Sequence, residues 1–317
     1  MSFAFVFPGQ GSQSVGMLAA LAAAEPAVRA TFAEASDALH YDLWQLVSAG
    51  PAEALNATER TQPALLTAGV ATWRVWQERG GPVPQVLSGH SLGEFTALVC
   101  AGALEFAAAV ELVRFRGEVM QQAVPAGTGA MAAILGLADE EVVAACAQAA
   151  HGAVVEAANF NSPGQVVIAG ETAAVERAIE LAKACGAKRA VLLPVSVPSH
   201  STLMLGAAER LRERLASVSV REPQIRYVSA VDATEHAAPD DIRRLLVLQL
   251  SRPVRWTDTL RAIATPNIGQ VIECGPGKVL TGLNKRIERR EGLAFLALED
   301  PASIAAALEA TRGDSHA

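Results

Sequence analysis

The chain has 317 residues, 51% of them hydrophobic and 19% charged, which is enough to bury a sizeable core in two domains or in one domain carrying an insertion. A formal charge of -7 argues against a nucleic-acid protein, whose affinity would rest on a clustered basic surface. No apolar run approaches the roughly 20 residues of a membrane span, and the N-terminus lacks the charged region of a signal peptide, so no membrane role is expected.

The four cysteines, Cys100, Cys146, Cys185 and Cys274, form no Cys-x-x-Cys pair and sit in apolar stretches. They read as buried free thiols in a reducing compartment, with the cytoplasm as the default. Only the tail from Arg312 onward is expected to be frayed.

Residues 3–7 are a β-rich apolar run that stops at Pro8-Gly9-Gln10-Gly11, predicting a first buried strand that ends in a loop. The spacing predicts a helix over 61–79, with Thr61 as N-cap, Pro63 in the first turn, Leu66, Val70, Trp73 and Trp76 on one face, and Gly80 past its end. A short strand from Val86 to Ser88 then runs into Gly89-His90-Ser91-Leu92-Gly93, after which the pattern is helical to Cys100. A further helix runs from Glu105 to Gln122, with Ala108, Leu112, Phe115 and Val119 as its apolar stripe.

Residues 128–195 stand apart. Their order is strand, helix, strand, strand, helix, strand, and the two middle strands are joined by the hairpin signal Asn161-Ser162-Pro163-Gly164. That order is the ferredoxin-like arrangement. The expected division is an α/β core made of residues 1–125 and 197–317 with a small subdomain, 126–196, inserted between them. Past the insertion, helices and strands alternate without hairpins, which implies a parallel sheet covered on both faces.

Gly89-His90-Ser91-Leu92-Gly93 fits G-x-S-x-G, in which flanking glycines let a tight strand-to-helix turn project a serine oxygen. The first turn of the following helix offers free N–H groups, making the Leu92 amide a natural oxyanion donor. A serine needs a base. His316 falls in the tail, His236 in a polar loop, and His40 and His151 at helix ends, while strand alternation turns His90 away from its neighbour Ser91. His200, in Pro198-Ser199-His200-Ser201 where the insertion ends, is left as the base.

Arg116 lies beside the apolar stripe of its helix. The pattern leaves two readings open: an inward guanidinium that grips a carboxylate in two-pronged fashion, or a surface salt bridge. The Pro8-Gly9-Gln10-Gly11-Ser12-Gln13 loop lacks the spacing of a nucleotide-binding fingerprint and suits a second oxyanion donor better. No His, Cys, Asp and Glu cluster has metal-ligand spacing, so no metal is expected.

With these residues in place, the chain resembles the malonyl-CoA:acyl carrier protein transacylases over nearly its whole length. The likeness is carried by Phe7 to Gln13, Thr61-Gln62-Pro63-Ala64, Gly89 to Glu94, Arg114 to Gly117, Asn161 to Gln165, Val197 to Ser201, Gln249 with Pro253 to Trp256, and Glu273 to Gly277. The resemblance implies a hydrolase-like parallel-sheet core with a ferredoxin-like insertion. It implies transfer of malonyl from malonyl-CoA to the phosphopantetheine thiol of acyl carrier protein, through a malonyl ester on Ser91, as a supply of extender units for fatty-acid synthesis. Ser91 would be the nucleophile, His200 the base, the amides of Gln10 and Leu92 the oxyanion hole, and Arg116 the partner of the malonate carboxylate. The main-chain carbonyl of Gln249 would hold the second nitrogen of His200, and Gln62 would help position Arg116. Coenzyme A thioester enters as substrate, with no permanently bound cofactor.

Two other classes compete. An α/β-hydrolase-type serine esterase or thioesterase would share Ser91 and His200 but would want an acidic third residue. A non-enzymatic carrier-protein binding module would not need the intact set of Ser91, His200 and Arg116. For docking an acidic carrier protein, Lys188, Arg189 and the basic run 285–290 are the candidate surface, against a reading of these and of Arg243 with Arg244 as solvated helix faces.

Overall fold

The computed structural model describes residues 2–125, 127–195 and 197–312. The tail beyond Arg312, with His316, lies outside the described residues, as do positions 126 and 196 at the edges of the expected insertion.

Nine strands are described: β1 (Ser2–Phe7), β2 (Val86–Gly89), β3 (Gly129–Leu135), β4 (Val155–Ser162), β5 (Gln165–Glu171), β6 (Arg189–Leu192), β7 (Arg226–Tyr227), β8 (Ile268–Cys274) and β9 (Ala294–Leu298). Five of them form a parallel sheet in the order β7-β2-β1-β8-β9. Its centre is apolar because it is covered twice. Phe3, Phe5 and Phe7 point to one side, where Phe5 meets the rings of Trp73 and Trp76 on the helix Thr58–Glu78. Ala4 and Val6 point to the other side and share a second core with Trp256 and Leu260 of the helix Trp256–Ile263. Each such large side chain stabilises the fold by about 1.5–3 kcal/mol relative to exposure.

Because β1 is central and its two neighbours are reached by crossovers in opposite directions, a crevice opens beyond the carboxyl ends of these strands. Register fixes what borders it. Phe7 pairs with Gly89, and Val6 with Glu273, so the segments after β1, β2 and β8 emerge side by side.

The remaining strands form an antiparallel sheet in the order β4-β5-β3-β6. Counted within the unit this places the second strand at one edge and the fourth at the other, the ferredoxin-like topology. The turn between β4 and β5 is two residues, Pro163 and Gly164, and Gly164 takes φ 72 in the left-handed region. Helices Asp139–Ala150 and Thr172–Ala184 cover one face. The other face carries Met131, Ala158, Val167 and Ala169 and turns toward the crevice. Main-chain bonds between Phe160 and Val254 and between Val254 and Ala158 tie this sheet to the core.

Three local expectations need correction. The helix expected over 61–79 begins at Thr58, with Ala57 as its N-cap. Thr61 does not cap; it is buried, and its hydroxyl donates to Leu55 O at 2.6 Å. Tertiary burial of the first turn holds the helix together across Pro63, which propensity alone would place at its start. Cys185 is exposed, because it stands at the C-terminal end of the helix Thr172–Ala184, while the other three thiols are buried. In the helix Phe106–Gln121 the buried face runs through Ala109, Leu112, Val113 and Met120, leaving Ala108 and Phe115 only half-buried.

Candidate active site

The turn after β2 is shaped by contacts that only glycine permits. A Cβ at Gly89 would lie 1.9 Å from the carbonyl carbon of Gly93, and one at Gly93 would lie 2.0 Å from Phe7 O. Packed this closely, the chain reverses into the helix Gly93–Cys100 with Ser91 at φ 52. A non-glycine residue held there costs on the order of 1–3 kcal/mol, which the surrounding bonds of His90 N to Phe7 O and Glu94 N to Ser91 O offset. The outcome is a serine oxygen raised above the carboxyl end of the sheet.

His200 reaches that oxygen from the other side. Its Nε2 is 2.9 Å from Ser91 Oγ, and its Nδ1 is 2.7 Å from the main-chain carbonyl of Gln249. A carbonyl only accepts, so Nδ1 carries the proton and Nε2 is left to accept from the Ser91 hydroxyl. Burial, reinforced by the nearby charge of Arg116, pushes the His200 imidazole down to about 3. It is therefore neutral and able to take a proton at ordinary pH.

Arg116 is 1% exposed, in the middle of its helix's buried face. Its Nη1 donates to Gln62 Oε1 at 2.8 Å, and its Nη2 donates to Gln249 Oε1 at 2.9 Å and to Ser91 Oγ at 3.3 Å. Its Nε has no partner among the described residues. Burial lowers its pKa to about 10, opposed by the charge of Glu94, so the guanidinium stays ionised with only neutral groups among the described residues in direct contact. Arg114, by contrast, lies along the outer face and pairs with Glu118.

The backbone amides of Gln10 and Leu92 donate to no other described residue, and both residues line the same cavity as Ser91. That cavity, about 510 Å³, has Ser91, Arg116 and His200 on its floor and Met131, Val167 and Leu193 of the antiparallel unit as its roof. Of the residues singled out from sequence, Ser91, His200, Arg116, Gln10 and Leu92 line this cavity, and Gln62 and Gln249 stand behind it against Arg116.

Three features were not foreseen. His90 does not turn away: it lines the cavity, and its Nε2 lies 2.8 Å from Asn161 Oδ1 on β4. The side chain of Gln249, not only its carbonyl, is engaged, with Nε2 donating to Ser91 O at 2.9 Å and to Glu94 Oε1 at 2.7 Å. Glu94 itself is buried, its second oxygen accepting from Tyr227. Glu94 falls in the segment Gly89 to Glu94 that carries the resemblance and in the first turn of a helix, but an acidic residue there equally suits a solvated end. Among the basic candidates for docking, Arg290 is committed to the carbonyls of Ala264, Thr265 and Ile268; Arg243 and Arg244, the other basic pair, bond to Asp240 and Asp241. No helix among the described residues is long and apolar enough to cross a membrane.

Residues 4–293 match the acyl transferase domain family. The malonyl CoA-acyl carrier protein transacylase of Escherichia coli K12 is 58% identical over 97% of this chain and 99% of its own length. Among solved structures, the corresponding transacylase of Coxiella burnetii superposes with a TM-score of 0.96 at 52% identity, covering 98% of this chain and 97% of that one. A malonyl-transacylase solved in complex with its type II polyketide acyl-carrier protein superposes with a TM-score of 0.96 at 55% identity, covering 98% and 100%.

Proposed function

The chain belongs to the acyl transferase family, and we propose that Ser91 carries a malonyl group between two thiols. The enzyme transfers malonyl from malonyl-CoA to the phosphopantetheine thiol of acyl carrier protein, the activity that names its curated relatives. The observation that carries the residue-level reading is the bond between Ser91 Oγ and His200 Nε2 with an ionised, carboxylate-free Arg116 beside it.

In the first half-reaction Ser91 Oγ attacks the thioester carbonyl while its proton passes to His200 Nε2. The oxygen that becomes negative is received by the amides of Gln10 and Leu92, fixed donors that need no reorganisation. The carbon–sulfur bond breaks, and coenzyme A leaves with the proton from His200. In the second half His200 takes the proton of the carrier's thiol, sulfur attacks the malonyl ester, and Ser91 regains its hydrogen. Bonds of one kind are exchanged, so equilibrium lies near unity. Side chains and main-chain amides suffice for both halves, and no bound cofactor is invoked.

Arg116 supplies selection. A planar guanidinium with its ends fixed by Gln62 and Gln249 presents paired donors to a carboxylate. Gln249 O, in place of an acidic side chain, holds His200, which separates this arrangement from that of a serine esterase with an acidic third member. Residues 1–125 and 197–317 act as the core that holds the reacting groups, and 126–196 as the cover that limits water. Work in the cytoplasm, where thiols stay reduced, suits the four free cysteines. The carrier is that of fatty-acid synthesis; the polyketide carrier bound to one structural relative is the reason to test that class as well.

Incubation with labelled malonyl-CoA tests the assignment. Wild type should retain label as an ester and release it to carrier protein, and Ser91→Ala should retain none. Label persisting on that variant removes Ser91 from the mechanism.

A further inference from the structure

We propose that Glu94, held from behind by Tyr227, is a positioning residue that sets the Gln249 amide and, through it, the Arg116 guanidinium, so that selectivity for a carboxylated acyl group depends on a carboxylate that never touches substrate. The inference rests on the reading of Arg116 given above.

An amide has two ends that differ only in donating or accepting, and Gln249 must use both correctly. Its Oε1 has to face Arg116, which only donates, and its Nε2 has to face Ser91 O, which only accepts. Glu94 Oε1, 2.7 Å from Nε2, is a second fixed acceptor that makes the reversed amide unfavourable. The other carboxylate oxygen accepts from the Tyr227 hydroxyl on β7, and both residues are 1% exposed. The chain of contacts thus runs from the sheet edge through Glu94 and Gln249 to Arg116 and Ser91, and every member is buried or nearly so. Glu94 also supplies the negative charge that offsets Arg116 through space, since no carboxylate among the described residues touches the guanidinium directly. Loss of that charge leaves Arg116 harder to keep ionised, and exchange of the carboxylate for a neutral amide, which can itself turn, weakens the hold on Gln249.

A structural role for Glu94 would lower every activity together; a positioning role would not. Acylation should therefore be measured from malonyl-CoA and from acetyl-CoA, whose acyl group makes no use of Arg116, in wild type, Glu94→Gln and Tyr227→Phe, each shown to be folded by its thermal melt. For Glu94→Gln, kcat/KM with malonyl-CoA should fall about tenfold or more, chiefly through KM, while acetyl transfer falls less than about threefold. The alkaline limb of the malonyl profile should move to lower pH, as Arg116 loses its counter-charge. Tyr227→Phe should shift the ratio in the same direction by less, and it decides the matter if Glu94→Gln does not fold. A malonyl-to-acetyl ratio unchanged from wild type in the folded variants overturns the inference. A wild type that shows no preference for malonyl would instead refute the reading of Arg116 on which it stands.

Discussion

Arg116 Nη2 lies 3.3 Å from the Oγ of Ser91, so a buried cation stands next to the oxygen proposed as the nucleophile. The neighbourhood serves two ends. It favours negative charge building on the serine oxygen, and it leaves a guanidinium edge with no carboxylate partner among the described residues, open to one carried by the proposed acyl group. Removing one partner of a buried, hydrogen-bonded charge pair costs about 2–5 kcal/mol, which is about 30-fold to several-thousand-fold in kcat/KM. Arg116→Ala should lose malonyl transfer by that amount while acetyl transfer rises relative to it. Arg116→Lys should not restore malonyl transfer, because a point charge on a flexible stem cannot replace two fixed donors. Steady-state rates with both coenzyme A esters check this, and full activity in the lysine variant would contradict it.

The depressed His200 has a kinetic signature. Burial first, and the Arg116 charge second, hold its pKa at about 3 in the free enzyme. The acid limb of kcat/KM should accordingly fall well below the ordinary histidine value of about 6.5. On the proposed role of Arg116, a malonate carboxylate resting there would neutralise the second cause and make His200 more basic once substrate is bound. The acid limb of kcat should then lie at higher pH than that of kcat/KM. Both limbs come from one series of buffers, and the opposite order would show that Arg116 and His200 do not sense each other.

How much of this could be read from the chain differs from residue to residue. Ser91 and the glycines around it were legible because a strained turn restricts which residues can occupy it, and those restrictions are local. His200 was reached by discarding five other histidines on their expected positions in helix ends, loops, tail and strand, and for one of them the expected position was wrong. His90 was misplaced because strand alternation was carried one residue too far: at Ser91 the chain has already left the strand, with φ 52, and the rule no longer applies. The orientation of Arg116 was undecidable, since the expected stripe through Ala108 and Phe115 was offset from the buried one through Ala109, Val113 and Met120. Glu94, Gln249 and Tyr227 come from segments more than 130 residues apart on either side, and no period or local motif announces such a network.

Close backbone contact makes the serine turn intolerant of even one methyl group. At Gly89 a Cβ would collide with main-chain atoms of Gly93 and Glu94, which cannot swing aside as a side chain can. Gly89→Ala should destabilise the protein by about 1–3 kcal/mol and, by displacing Ser91, lower acylation by about 100-fold. Gly282, inside the helix Val279–Ile287, has nothing within 4 Å of the added carbon, and Gly282→Ala should instead stabilise by about 0.5–1 kcal/mol. Urea denaturation of the two variants tests the contrast; equal effects would mean that the turn relaxes more easily than its spacing indicates.

Glu273 is one residue from the carboxyl end of β8, accepting from the main-chain N–H groups of Leu280 at 3.1 Å and Thr281 at 2.7 Å. Burial nonetheless pushes its carboxyl up to about 7. A carboxyl whose pKa is raised in the folded state binds more protons folded than unfolded between about 4.5 and about 7, so its contribution to stability falls as pH rises through that window. His200 acts with the opposite sign over its own range from about 3 to 6.5, gaining stability as pH rises, which masks part of the effect in wild type. A difference measurement removes the masking. Glu273→Gln keeps an acceptor for the helix amides but cannot ionise, so its stability relative to wild type should increase from pH 5 to pH 7.5 by on the order of 2–3 kcal/mol. A difference that stays flat across that range would mean that the two amides, not burial, govern the ionisation of Glu273.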